Sequence, residues 1–83
     1  MAYAVSYTET ARRQLLKLPR QVQPRIARAV NQLGVDPRPP GCRKIIGTED
    51  VWRIRIGSYR VLYRVRESQL EVIVIRVADR KDA

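Results

Sequence analysis

The chain has 83 residues, 45% hydrophobic and 30% charged, and its 17 Lys and Arg against 8 Asp and Glu give a net charge of +9. A chain of this length holds one domain, residues 1–83, and buries only about 60 to 65% of the surface its unfolded form exposes, which excludes a second core. One cysteine, Cys42, and no histidine exclude an internal disulfide, a cysteine-rich zinc site and histidine acid–base catalysis.

The longest apolar run, Val72-Ile73-Val74-Ile75, is too short to span a bilayer, and the first residues lack the basic-then-apolar pattern of a secretory signal. A cytoplasmic protein with no membrane partner is expected. In chain order, residues 2–7 alternate weakly and include Val5 and Tyr7, which predicts a short strand. Thr8 is a natural N-cap, and Ala11, Leu15 and Leu18 at i, i+4 and i+7 predict a short amphipathic helix ending at Pro19. A second helix carries the stripe Val22, Ile26, Ala29, Val30 and Leu33, with Pro24 in its first turn and Gly34 closing it.

Residues 36–41, Asp-Pro-Arg-Pro-Pro-Gly, include three prolines, which remove three backbone donors and predict a stiff surface connector. Residues 43–46 are extended and 47–50 form a turn. Three strand-like runs follow at 51–56, 59–66 and 70–77, joined by Gly57-Ser58 and Glu67-Ser68-Gln69. Connections that short join antiparallel neighbours. The expected fold is therefore α+β, with two N-terminal helices, after a short first strand, on one face of a four-stranded, mostly antiparallel sheet.

Side chains alternate faces along a strand, so parity sorts the arginines. Trp52, Ile54 and Ile56 share one face and Arg53 and Arg55 the other, while Tyr59, Val61, Tyr63 and Val65 oppose Arg60, Leu62, Arg64 and Arg66. The apolar rows suit the helices, and Arg53, Arg55 and Arg60 fall together on the opposite face without an acid among them. Like charges opposite one another destabilise a sheet, so the cluster predicts a bound anion. Parity also predicts that Val72 and Val74 lie exposed beside Leu62 as a small apolar patch. The basic residues are 14 Arg and 3 Lys. Arginine's rigid fork of donors matches phosphate oxygens two at a time, which points to nucleic acid.

Four segments, TARRQLLKLP, DPRPPG, RIRIGSYRVLYRV and VIRVADRKD, resemble in order the RelE/ParE superfamily of toxins from type II toxin–antitoxin systems. The resemblance implies a compact RelE-like domain. For the RelE branch it implies a ribosome-dependent endoribonuclease, an mRNA interferase that cuts mRNA in the ribosomal A site and so stops translation and growth. The attacking group is then the ribose 2′-OH, and no metal or cofactor is required. Carried over by position, the catalytic set is Arg53, Arg55, Arg60 and Arg80, with Arg43, Lys44, Arg64 and Lys81 as flanking RNA contacts. Guanidinium stays protonated and makes a poor base, leaving Lys44, Lys81 or Asp79 to assist proton transfer. Asp79 stands where the family places a histidine, and the sequence reaches Ala83 without a terminal tyrosine. The family also implies a cognate antitoxin, acidic and partly helical to complement a +9 surface, and operator DNA reached only through that complex. Two alternatives remain open: a ParE-like poison of DNA gyrase, and a catalytically weak relative that only binds nucleic acid.

Overall fold

A computed structural model describes residues 2–79. Strand β1 (Ala4–Tyr7) leads into helices α1 (Glu9–Leu16) and α2 (Gln23–Leu33), followed by strands β2 (Arg43–Lys44), β3 (Val51–Ile56), β4 (Tyr59–Arg66) and β5 (Glu71–Asp79). One mixed sheet forms in the order β1-β5-β4-β3-β2, with β1 parallel to β5 and the other neighbours antiparallel. The α+β class is the expected one. The sheet has five strands rather than four because the segment after the connector pairs over two residues, Arg43 with Arg53 and Lys44 with Trp52.

Local chemistry sets the helix limits. The Thr8 hydroxyl accepts from the Ala11 amide at 3.1 Å, capping α1. Gln23 donates its side-chain amide to the carbonyls of Leu16 and Leu18 at 3.2 and 2.9 Å, satisfying the end of the same helix. Pro24 occupies the first turn of α2, where its missing N–H costs nothing.

Gly34 ends α2 with φ −68°, so its role is steric and not conformational. A Cβ there would lie 3.0 Å from the Tyr3 carbonyl oxygen and 3.1 Å from a Val5 methyl, because β1 crosses the helix end closely enough for the Tyr3 amide to donate to the Gly34 carbonyl at 2.6 Å. Gly34→Ala is expected to cost about 1–3 kcal/mol through overpacking. In a domain this small that lowers a thermal melt by roughly 4–8 °C per kcal/mol.

The core lies between the helices and one sheet face. Ala11, Ile26, Val30 and Leu33 from the helices meet Ile54, Val61, Tyr63, Val65, Val72, Val74 and Val77 from the sheet. Tyr63 is fully buried, and its hydroxyl donates to the Pro37 carbonyl at 2.6 Å, tying the proline-rich connector to the sheet. Tyr63→Phe leaves that buried carbonyl without its partner and should cost about 1–2 kcal/mol. Burial also holds the Tyr63 phenol well above its ordinary pKa of 10.0. Its contribution is therefore complete below about pH 10 and is lost as pH rises from there toward the folded value. Alkaline urea melts should show a smaller loss in Tyr63→Phe than in the wild type.

The two Val72 and Val74 positions depart from the parity expectation. Both are 0% exposed and face the helices, while Ile73 and Ile75 are the half-buried residues on the other side. Opposite β4, Leu62 pairs with Arg76 but Tyr63 pairs with Val74, so β5 has one extra residue, a bulge at Ile75. The bulge lets Val74 and Val77 both reach the core. The Val77 amide then donates to Gln14 Oε1 of α1 at 2.8 Å, beyond the point where β1 ends opposite Val74.

Candidate nucleic-acid interface

Both helices pack on one face, so the other sheet face is built from the alternate residues. Register aligns them in rows. Arg43, Arg53, Leu62 and Arg76 form one row across four strands, and Arg55, Arg60 and Ala78 form the next. Val51, Arg64, Ile73 and Ser6 make a third row. The β3–β4 connection that brings Arg55 opposite Arg60 is a two-residue turn with Gly57 at φ 62°, a value glycine adopts without a Cβ penalty.

Arg53 is the most constrained of the set. It is half-buried, and its Nε is shut from solvent with no acceptor among the described residues. Desolvation, then the positive charges of Arg55, Arg60 and Arg43, lower its pKa from the ordinary arginine value. Placing four guanidinium groups together costs electrostatic free energy, and an anion among them would remove that cost. A hollow of about 40 Å³ beside the turn, lined by Arg55, Gly57, Ser58, Tyr59 and Arg60, gives room for the oxygens of a small anion.

The acids lie elsewhere. Glu9 pairs with Arg12 and Arg13 on α1 at 3.6 and 3.4 Å, and Asp50 pairs with Arg64 at 3.3 Å. Glu67 accepts from the Tyr3 hydroxyl at 2.8 Å and pairs with Arg38, two contacts that hold its carboxyl below the usual range. Arg38 also lies 5.1 Å from the centre of the Trp52 ring, a cation–π contact on the helix side of the sheet. On the open face Glu71 sits at the far end, opposite Arg66. Among the described residues no cluster of three His, Cys, Asp or Glu side chains could hold a metal ion.

Of the residues expected to act, Arg43, Arg53, Arg55 and Arg60 are therefore gathered in one part of the open face, away from Glu71 and Asp50. Arg64 lies one row away, held by Asp50. Lys44 pairs with Trp52 and Asp79 with Tyr59, which gives both the parity of the helix-facing side. Arg80 and Lys81 lie outside the described residues. Alternation with Val72 and Val74, both expected beside Leu62, puts Arg76 on this face as well. The structure keeps Arg76 there but turns Val72 and Val74 to the helices, because the extra residue at Ile75, which nothing in Val-Ile-Val-Ile-Arg-Val marks, shifts the parity between them.

Residues 5–83 match the family described as the ParE toxin of type II toxin–antitoxin systems, parDE. The toxin RelG of Mycobacterium tuberculosis is 39% identical over 90 residues, a match covering 99% of this chain and 95% of RelG. Among solved structures, the RelE–RelB complex of Pyrococcus horikoshii contains a chain that superposes with a TM-score of 0.85 at 27% identity, each chain covered completely. The RelBE2 toxin–antitoxin complex of Mycobacterium tuberculosis contains one with a TM-score of 0.84 at 30% identity, covering 95% of this chain and 92% of that one. No helix among the described residues is long and apolar enough to cross a membrane.

Proposed function

Since the chain belongs to the ParE toxin family, within the RelE/ParE superfamily of type II toxin–antitoxin toxins, we propose that it is a ribosome-dependent endoribonuclease that cuts mRNA in the ribosomal A site in the cytoplasm. The observation that carries this reading is the acid-free cluster Arg43, Arg53, Arg55 and Arg60, with the Arg53 Nε lacking an acceptor.

The cluster suits attack on a phosphodiester. The ribose 2′-OH adds to the adjacent phosphorus, the bond to O5′ breaks, and a 2′,3′-cyclic phosphate and a 5′-hydroxyl result. The 2′-OH proton is released and O5′ takes one up. Charge grows on the non-bridging oxygens during this step, and preorganised guanidinium groups facing those oxygens stabilise it. Because the nucleophile belongs to the RNA, no metal is needed to generate it. Arginine remains protonated, so charge stabilisation is the chain's contribution at Arg53, Arg55 and Arg60, with Arg80 joining from the C-terminal segment. Alignment of the 2′-OH within the A site would then account for a requirement for ribosomes.

A cognate antitoxin is the expected partner, as in the RelE–RelB and RelBE2 complexes. An acidic, partly helical segment complements the +9 charge, and operator DNA would be engaged through that complex.

The matched family description, a ParE toxin, favours a second reading, poisoning of DNA gyrase. Primer extension on cellular mRNA after induction separates the two. Cleavage within translated codons, lost when ribosomes are omitted in vitro, supports the ribonuclease. Gyrase-dependent DNA breaks without RNA cleavage overturn it.

A further inference from the structure

We propose that Arg76 is a further RNA contact, turned onto the arginine face by the β5 bulge to hold the phosphate next to the one bound by Arg53, Arg55 and Arg60. This inference rests on the reading of that face as an RNA site.

The argument begins with the core. Strict alternation from Val72 and Val74 would send Arg76 toward the helices and Val77 outward. The core instead takes Val77, 2% exposed, against α1, where Gln14 accepts its amide hydrogen at 2.8 Å. Accommodating Val74 and Val77 together requires two intervening residues on the other side, and Ile75 and Arg76 both oppose Leu62. A bulge commonly re-aims one side chain in this way.

Its position in the register is specific. Arg76 closes the row that starts at Arg43 and Arg53, with Leu62 between Arg53 and Arg76. Two strand intervals, about 10 Å at the backbone, separate Arg53 from Arg76. Arg60 lies diagonally between them, one row along β4. The cations therefore flank Leu62 on both sides, and a backbone crossing the strands meets Arg53, Arg55 and Arg60 first and Arg76 next. Arg76 is exposed and enters none of the ion pairs among the described residues. It also borders a groove of about 490 Å³ between the end of α1 and the end of β5, with Lys17 on the opposite wall and Asp79 among its lining residues.

The test measures binding of 2′-O-methyl oligouridylates, which cannot be cleaved, by the full chain across a series of salt concentrations. A labelled hexanucleotide is followed by anisotropy, and a dinucleotide with a single phosphate is measured by competition. Arg76→Ala is expected to weaken hexanucleotide binding about 3- to 10-fold, and to make the plot of log K against log salt shallower by about 0.7, the value for one lost single-strand phosphate contact. Arg76→Lys keeps the charge and should restore the slope. The dinucleotide should bind the wild type and Arg76→Ala alike, and Arg28→Ala on α2 should match the wild type throughout. Thermal melts of Arg76→Ala and Arg76→Gln should coincide with the wild type. An unchanged hexanucleotide affinity and slope in Arg76→Ala overturns this inference alone, and so does equal weakening with the dinucleotide. Absence of salt-dependent RNA binding by the wild type overturns the RNA reading of the face and this inference with it.

Discussion

Arg60→Ala is expected to lower ribosome-dependent mRNA cleavage by about 10²- to 10³-fold, the loss that follows removal of one preorganised donor to a developing oxyanion. Arg60 stands directly opposite Arg55 and next to the Gly57-Ser58 turn, so its guanidinium reaches the hollow where an anion fits. Arg53→Ala should be comparably severe, since Arg53 holds the buried Nε that lacks an acceptor. Lysine at either position should recover about tenfold, because it keeps the charge and loses the paired donors of the fork. Neither change should destabilise the protein. Removing one member of a like-charged cluster relieves repulsion, so melting temperatures should stay level or rise. Growth arrest on induction and primer extension on a reporter mRNA measure the loss. Undiminished cleavage in both alanine variants, with normal folding, removes these arginines from the chemistry.

The second large effect tests the bulge. Val74→Asp places a carboxylate at a position with no exposure, within the helix-facing apolar cluster. An unpaired buried charge costs several kcal/mol, which is comparable to the whole stability of a small domain. Val74→Asp should therefore fail to show a cooperative melt. Ile73→Asp, one residue earlier and half-buried on the arginine face, should fold, with stability within about 1–2 kcal/mol of the wild type. Circular dichroism melts of the two variants decide the register: a folded Val74→Asp together with an unfolded Ile73→Asp would place the bulge elsewhere.

Much of the architecture is legible in the residues because it depends on local rules. Thr8 as a cap, Pro24 in a first turn, the three-proline connector and the Gly57 hairpin each express a short-range steric or hydrogen-bonding constraint. The alternation in Val51–Ile56 and Tyr59–Arg66 separates apolar from basic residues cleanly, so the faces of Arg53, Arg55 and Arg60 follow from parity. β5 is different. Val-Ile-Val-Ile is apolar at both parities, and where either face satisfies the pattern only packing chooses between them.

By itself, then, the sequence determined the α+β class, the two helices and the arginine cluster of β3 and β4, since helix caps, turns and strand periodicity act over a few residues. The tertiary structure alone decided which face of β5 is buried, because α1 had to receive Val77 and bond its amide through Gln14. It also decided that Gly34 serves a close approach of β1, that Tyr63 anchors the connector at Pro37, and that Lys44 takes the parity of the helix-facing side, each set by a partner distant in the chain. The same long-range packing that placed Val77 in the core brought Arg76 into the row of Arg43 and Arg53.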